Sequence, residues 1–367
     1  MNTTSISDRI RLDKIVLEVG MFRKSLAVLL FWCLIFVSAC APATSGEPSS
    51  HVNSGSIQIS SEDVSVWTPV TVEDSAGNTV TITEKPERIV SLPVWATEML
   101  LDLVDTDRVV GISRYNDAPA LSANADKAAL VTARVESRNP EGIAELVPDL
   151  VILDTFNDYD GSLSKTLSEA GITVLSMVSP VDFDQIKAAV TTISKACGAV
   201  EEGSAMVEEI DGILNDVGEK TSVLSAEDKL TVMYYEDYFD QSGASAGMLC
   251  AYGPHSPFDA IASAAGLVNV CDLETYSPVD REVVVGTWKP EVLVVPSILY
   301  DENFNAYEDN GVTISANIKA DTMLSGLPAI ENNRIFAIPG KYSNSTSHYM
   351  AKAVLELAET AYPELFD

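Results

Sequence analysis

The most regular pattern of apolar and polar positions lies between residues 181 and 224, where apolar residues recur in steps of three and four, as one face of a helix requires. The first run consists of Phe183, Ile186, Val190, Ile193, Cys197 and Val200. A second run, over residues 206–217, has an acidic opposite face. Asp182 is placed to cap the first helix, and Gly198 and Gly203 predict a break between the two helices. The second helix, of about 20 residues, would span roughly 30 Å, the width of a small domain.

On both sides of this region, short aliphatic runs alternate with helical patterns. Predicted strands cover residues 88–92, 108–113, 149–154, 173–177, 229–236, 291–297 and 334–339. Predicted helices begin near residue 96 and cover residues 162–170, 257–265 and 347–361, and a hairpin is predicted from residues 70–73 and 79–83. Nearly continuous aliphatic strands between helices favour parallel sheets that are covered on both faces. The pattern therefore predicts an α/β fold of two Rossmann-like lobes, residues 67–180 and 225–367, joined by the helical segment 181–224.

The N-terminal region has the pattern of an export signal. Arg23 and Lys24 precede an apolar stretch, and Cys40 directly follows Ser38-Ala39, as in the lipobox of bacterial lipoproteins, where the cysteine is acylated. The apolar stretch is too short for a comfortable membrane span, so we expect a lipid anchor on Cys40. Residues 1–20 precede a complete signal, which favours Met21 as the start of translation. Residues 41–66 are rich in Ser, Gly, Pro and Thr and predict a flexible tether, and no transmembrane segment is predicted after Cys40.

The composition argues against some classes of function. The chain of 367 residues has 54 acidic and 23 basic residues, a net charge of −31, which repels nucleic acids. Its three histidines have no His-x-x-x-His spacing, which argues against a metal site rich in imidazole. Of the five cysteines, only Cys250 and Cys271 are candidates for a disulfide, and the alternative is that both are small buried apolar residues.

Several short segments, spread over residues 70–367, together indicate a family. They are PERIVSL (86–92), ATE (96–98), RVVG (108–111), NPEGI (139–143), PDLVI (148–152), LPAI (327–330), NRIF (333–336) and YPELF (362–366). In this order they resemble the ABC-transporter solute-binding proteins for iron complexes and cobalamin. The resemblance implies two lobes joined by one long rigid helix, with a shallow cleft and a small closing motion.

The resemblance also implies a function. The protein is expected to be an extracytoplasmic, lipid-anchored monomer that is not an enzyme and has no cofactor of its own. Its partners would be a small-molecule metal chelate and an ABC permease dimer with its ATPase subunits. A ferric siderophore is the leading ligand, and haem or a corrinoid such as cobalamin is the alternative.

Two glutamates occupy similar positions in the two halves. Glu141 precedes the segment PDLVI by seven residues, and Glu282 precedes PEVLV by eight. In the family they resemble the pair that docks on arginines of the permease, one glutamate from each lobe. An acid at a helix start is also favoured by the helix dipole alone, so that explanation stays open.

Loops that follow strands should line the cleft, because open α/β sheets bind ligands at the carboxyl ends of their strands. Aromatic side chains there suit the flat faces of catecholates, porphyrins or corrins, and Arg or Lys suits an anionic chelate. The indole of Trp95 is expected to face the ligand. The candidate ligand-binding residues are Trp95, Arg114, Tyr115, Phe156, Tyr159, Tyr235, Tyr238, Tyr252, His255, Tyr300, Lys341 and Tyr342.

Three other functions remain as weaker alternatives. Residues 243–247 spell Gly-x-Ser-x-Gly, and His255 and His348 follow, so Ser245 could be a hydrolase nucleophile. That motif needs a strand before the serine and a helix after it, and the flanking sequence predicts neither. A binder of a metal cation through carboxylates, and a lipoprotein that binds only other proteins, are the remaining two.

Overall fold

The structure, a computed structural model, describes residues 67–239, 245–303 and 305–367. The predicted signal, the tether, Cys40 and part of the Gly-x-Ser-x-Gly segment lie outside these residues. None of the described helices is long and apolar enough to cross a membrane.

The first half of the chain forms a hairpin and a parallel five-stranded sheet in the order β5-β4-β3-β6-β7. Its strands are β1 Val70–Glu73, β2 Thr79–Ile82, β3 Ile89–Ser91, β4 Val109–Ser113, β5 Ala133–Val135, β6 Leu150–Asp154 and β7 Thr173–Met177. Its helices are α1 Val94–Leu103, α2 Ala125–Ala128, α3 Pro140–Ala144 and α4 Ser162–Glu169. Strands β3 and β6 are buried along their whole length, because helices and loops cover both faces of the sheet. We call this half the N-lobe.

Two helices follow, α5 Phe183–Cys197 and α6 Val200–Thr221. The Asp182 side chain caps α5 by accepting a hydrogen bond from the Gln185 amide, as predicted. The break between the helices is at Gly198, which has a left-handed φ of 69°. The prediction of a break at Gly203 is wrong, because Gly203 lies inside α6. A Cβ there would stand 2.3 Å from the Ser194 hydroxyl oxygen, so this glycine allows α6 to pack closely on α5.

The second half of the chain, the C-lobe, has a parallel four-stranded sheet in the order β11-β8-β13-β16 and antiparallel strands beside it. Its strands are β8 Thr231–Tyr234, β9 Glu236–Phe239, β10 Ser245–Tyr252, β11 Val268–Asn269, β12 Tyr276–Pro278, β13 Val292–Val295, β14 Ile298–Tyr300, β15 Ala306–Glu308 and β16 Ile335–Ala337. Its helices are α7 Pro257–Ala264, α8 Arg281–Val283, α9 Val312–Ala320, α10 Pro328–Glu331, α11 Gly340–Ser343 and α12 Met350–Ala361. The strand predicted over residues 229–236 is divided, since β8 ends at Tyr234 and β9 pairs with β10 instead.

The largest hydrophobic cluster contains residues of both halves and of the helices between them. Leu100 of α1, Ile193 of α5, Ile210 of α6 and Leu357 of α12 all belong to it. Helix α6 packs on α12 of the C-lobe and on α5, and α5 in turn packs on α1 of the N-lobe. The predicted fold class, two α/β lobes with mainly parallel sheets joined by a long helix, is confirmed.

Candidate functional site

A cavity of about 580 Å³ lies at the carboxyl edge of the N-lobe sheet, where open α/β sheets bind ligands. It is formed by the loops after all five parallel strands. We call it the N-lobe cavity, and its walls are Leu92, Pro93, Val94, Ser113, Arg114, Tyr115, Val135, Glu136, Ser137, Arg138, Asp154, Phe156, Asn157 and Ser179. The sequence analysis selected three of these residues, Arg114, Tyr115 and Phe156.

Two exposed arginines line this cavity, together with the carboxylates of Glu136 and Asp154. Arg114 lies 5.1 Å from the centroid of the Tyr115 ring, and Arg138 extends from the loop after β5. Neither guanidinium forms an ion pair within the part of the chain that the structure describes. Arginine binds carboxylate or catecholate oxygens with two parallel hydrogen bonds, so both side chains are suited to an acidic ligand. Arg138 was missed by the sequence analysis, which followed the loop aromatics.

The floor of the cavity is organised by Asp154, which is 4% exposed at the end of β6. One carboxylate oxygen accepts the backbone N–H groups of Phe156 and Asn157, at 3.1 and 2.9 Å. The other accepts the Trp95 indole N–H at 3.2 Å and the Ser179 hydroxyl at 2.9 Å. Trp95 is therefore buried beneath the cavity, 6% exposed, and supports its floor, whereas the sequence analysis expected its indole to face the ligand.

A second cavity, of about 290 Å³, lies at the carboxyl edge of the C-lobe sheet. We call it the C-lobe cavity, and its walls are Tyr234, Glu236, Tyr252, Pro257, Phe258, Ile261, Pro296, Ile298, Tyr300, Ser343, Asn344 and Thr346. The Tyr234 ring meets the Tyr252 and Phe258 rings edge to face, with centroids 5.1 and 5.2 Å apart. The rings of Tyr234 and Phe258 are largely buried, at 8% and 5% exposure, and with the half-buried Tyr252 they make this part of the cavity wall aromatic. Tyr252 and Tyr300 were selected from the sequence.

Tyr235 does not line this cavity. It is fully buried on the other side of β8, in a cluster with Met233 and Leu293, and burial raises the pKa of its hydroxyl. Successive side chains of a strand point to opposite faces, so Tyr234 occupies the position in the wall that was expected for Tyr235. The neighbouring Tyr238 belongs to β9, but its side chain lies outside the described part of the structure.

The remaining predicted ligand residues lie near the two cavities but not in their walls. Tyr159, 94% exposed, lines an adjoining cavity that it shares with Phe156 and Arg138. His255 is exposed in the turn before α7. Lys341 and Tyr342 are half-buried in α11, with the ammonium 5.0 Å from the centroid of the ring.

The carboxyl edges of the N-lobe sheet and the C-lobe sheet lie next to each other. A Cβ on Gly340, the first residue of α11, would stand 3.0 Å from the carbonyl oxygen of Ala120 in the loop after β4. Ser345, in the segment after α11, donates a hydrogen bond to Glu98 of α1, the helix that follows β3. Loops that follow strands of both sheets therefore border one region of the molecule.

Both predicted docking glutamates are exposed. Glu141 lies in the first turn of α3, after the capping residue Asn139. Glu282 lies in α8, and the neighbouring Arg281 pairs with Asp237 and Asp321. Both carboxylates are therefore open to solvent.

The weaker alternatives lack their structural context. Ser245 begins strand β10, opposite Phe239 of β9, so no helix starts at the serine. Among the described residues, no group of three or more His, Cys, Asp or Glu side chains could hold a metal ion. Cys250 and Cys271 are free and buried, which agrees with the reading of two small apolar residues.

Comparisons with known proteins agree with this architecture. The chain is 24% identical over 339 residues to the uncharacterized ABC transporter substrate-binding lipoprotein YvrC of Bacillus subtilis, covering 91% of this chain and 97% of the relative. It is 26% identical over 230 residues to a cobalamin-binding protein of Halobacterium salinarum, covering 62% of this chain and 58% of the relative. The solved structure of the periplasmic haem-binding protein RhuT from Roseiflexus shares the fold, with a TM-score of 0.60 at 20% identity, covering 76% of this chain and 99% of that one. The family model described as periplasmic binding protein matches residues 89–342, and the chain therefore belongs to that family.

Proposed function

We propose that this protein is the solute-binding component of an ABC importer and that it captures a metal chelate outside the cytoplasm. Membership of the periplasmic binding protein family supports a binding role. The likeness to the lipoprotein YvrC, over nearly the full length of both chains, supports an importer partner and a lipid anchor. The anchor would be Cys40, and the exposed Glu141 and Glu282 would meet the permease.

The observation that carries the proposal is the presence of two arginines at the N-lobe cavity and of aromatic rings at the C-lobe cavity. The N-lobe cavity exposes Arg114 and Arg138 in a chain whose net charge is −31. The C-lobe cavity presents the rings of Tyr234, Tyr252 and Tyr300. A chelate with acidic oxygens and flat aromatic or conjugated faces would satisfy both walls at once.

A ferric siderophore is the ligand that we propose first. The described residues contain no cluster of metal-binding side chains, so the metal would arrive already chelated. Haem and corrinoids are the competing chelates, supported by the fold of RhuT and by the cobalamin-binding relative. Catecholate siderophores, haem and corrinoids all carry aromatic or conjugated faces, and they differ in the placement of their polar and charged groups.

A titration tests the proposal. The purified protein is stripped of ligand, and its tryptophan fluorescence is followed as ferric enterobactin, ferrichrome, haemin or cyanocobalamin is added. Trp95 lies directly below the N-lobe cavity and should report its occupation. We expect saturation by a ferric siderophore at one molecule per chain and no saturation by iron without a chelator. Saturation by haemin or cyanocobalamin alone would transfer the assignment to that class, and no saturation by any chelate would refute the function.

Variants that each remove one positive charge test where the ligand binds. Arg114→Gln and Arg138→Gln should each weaken binding roughly 10–100-fold, because a hydrogen bond to a charged group contributes about 1.5–3 kcal/mol. Lys165→Gln is the control, since it removes one positive charge from a side chain of α4 that is 74% exposed and lies outside both cavities. Equal affinities in all three variants would exclude the N-lobe cavity as the site.

A further inference from the structure

One carboxylate outside the cavity walls joins the two lobes. Glu98 lies in α1 among apolar neighbours and is fully buried. Its carboxylate accepts hydrogen bonds from the Ser122 hydroxyl at 3.0 Å and from the Ala123 amide at 2.6 Å, both in the N-lobe. It also accepts the hydroxyl of Ser345, and the Ser347 hydroxyl lies beside it; both serines belong to the C-lobe. A buried carboxylate is costly without donors, so these contacts account for its place in the interior.

Asp102 makes a second connection one turn further along α1. Residues four apart share one face of a helix, so Glu98 and Asp102 face the C-lobe together. Asp102 accepts the Tyr349 hydroxyl at 2.7 Å and lies 3.0 Å from the Nε2 atom of His348. Lys127, from the N-lobe, completes its shell at 2.5 Å.

The C-lobe segment that receives these bonds also forms part of the C-lobe cavity. Ser343, Asn344 and Thr346 line that cavity, whereas Ser345 bonds to Glu98 and Ser347 lies beside it. Residues 344–349 lie between α11 and α12 and have no regular secondary structure. Because this segment belongs to no helix or sheet, side-chain hydrogen bonds are important for holding it in place.

We propose that Glu98 is a positioning residue for ligand binding, which fixes the wall formed by Ser343, Asn344 and Thr346 from the opposite lobe. The inference deepens the proposed function and rests on it for the ligand. When Glu98 is lost, the hydroxyl of Ser345 loses its acceptor inside the protein, and Ser347 loses the carboxylate beside it. The segment then moves to find new partners, and the cavity wall moves with it.

Hydrogen–deuterium exchange of the ligand-free, full-length chain tests the positioning itself. Glu98→Leu should increase exchange at least tenfold in peptides covering residues 343–349 and leave peptides of α5 unchanged. Glu98→Gln keeps one acceptor oxygen and should rescue most of the protection. The matched control is Thr97→Val, since Thr97 is equally buried on the same helix but bonds only to Ser91 and Pro93 of its own lobe.

Ligand affinity is the second measurement, made with whichever of ferric enterobactin, ferrichrome, haemin or cyanocobalamin binds the wild-type protein. Glu98→Leu should weaken binding at least fivefold, mainly through faster dissociation, and Thr97→Val should not. If Glu98→Leu does not fold, the double variant Ser345→Ala, Ser347→Ala removes the same bonds from the other side and should give the same pattern.

Two results would overturn the inference. One is unchanged exchange over residues 343–349 in both the Glu98→Leu and the serine variants. The other is increased exchange that is equal in α5 and in this segment, since that would mean general destabilisation. If no chelate binds the wild-type protein, the proposed function fails, and the exchange experiment still decides whether Glu98 holds the wall.

Discussion

The indole of Trp95 offers a direct test of how the floor of the N-lobe cavity is held. The Trp95→Phe variant keeps an aromatic ring and removes the N–H group that donates to Asp154 at 3.2 Å. The carboxylate keeps its other donors, the Ser179 hydroxyl and two backbone amides. Because Asp154 is 4% exposed, water cannot readily replace the missing donor.

The expected loss of stability has two parts. A buried hydrogen bond to a charged acceptor contributes about 1.5–3 kcal/mol. The smaller ring also removes buried apolar area, worth about 1 kcal/mol at ~25 cal/mol per Å². Trp95→Phe should therefore lower the free energy of unfolding by about 2.5–4 kcal/mol. The matched control is Trp288→Phe, whose indole donates to the exposed Asp272 at the same distance of 3.2 Å, and it should cost less than about 1 kcal/mol.

Urea unfolding followed by far-ultraviolet circular dichroism measures both variants without depending on tryptophan emission. Hydrogen exchange of peptides covering residues 155–158 then shows whether the loop that Asp154 holds has become mobile, which Trp288→Phe should not cause. Equal stability of the two variants would refute the reasoning, because it would show that the indole donor adds nothing to the charged floor.

Three further predictions concern other parts of the chain. Burial raises the pKa of Asp102, but hydrogen bonds from three side chains outweigh burial and hold it below the ordinary value of 3.8. Its ionised form therefore stabilises the fold above that pH. Asp102→Asn should lower the free energy of unfolding at pH 7 by about 1–3 kcal/mol. Urea unfolding should show this difference shrinking as the pH falls below 3.8. Glu141→Lys and Glu282→Lys should each abolish uptake in cells while affinity in the isolated protein stays unchanged, and a parallel loss of affinity would contradict docking. Cys40→Ala should move the protein from the membrane fraction to the soluble fraction or the medium, and unchanged membrane association would contradict the lipid anchor.

The regular elements were the most predictable part of the fold. The strands that became β3, β4, β6 and β7 are short aliphatic runs between helical patterns, and the structure places each within a residue or so of its prediction. The helix of residues 183–197 followed from its apolar spacing and from the cap at Asp182. Gly203 shows the limit of such reasoning, because a glycine can serve close packing between helices as well as a break.

When a strand is covered on both faces, its sequence does not show which residues point to which face. Tyr234 and Tyr235 are neighbours, and both sit among apolar residues, so alternation cannot tell which one faces the cavity. That choice is made by α7, whose Phe258 packs against the Tyr234 ring, and by the cluster around Met233 that encloses Tyr235.

The sequence did carry a signal for Glu98. A carboxylate between Thr97 and Met99, in a helix whose other positions are almost all apolar, is unlikely to be tolerated without buried donors. Its partners were not predictable, since Ala123 lies 25 positions and Ser345 lies 247 positions along the chain. Only the tertiary fold brings them to one carboxylate.

These contacts bear on how the lobes can move. A hinge needs a few residues that absorb the rotation, with little else to break. Here the lobes are joined through α6 and again through α1, where Glu98 and Asp102 each bond to the C-lobe. A wide opening would have to break several buried hydrogen bonds at α1. Ligand entry should therefore depend on the exposed cavity loops, such as the one that carries Phe156 and Tyr159, at 88% and 94% exposure, more than on separation of the lobes.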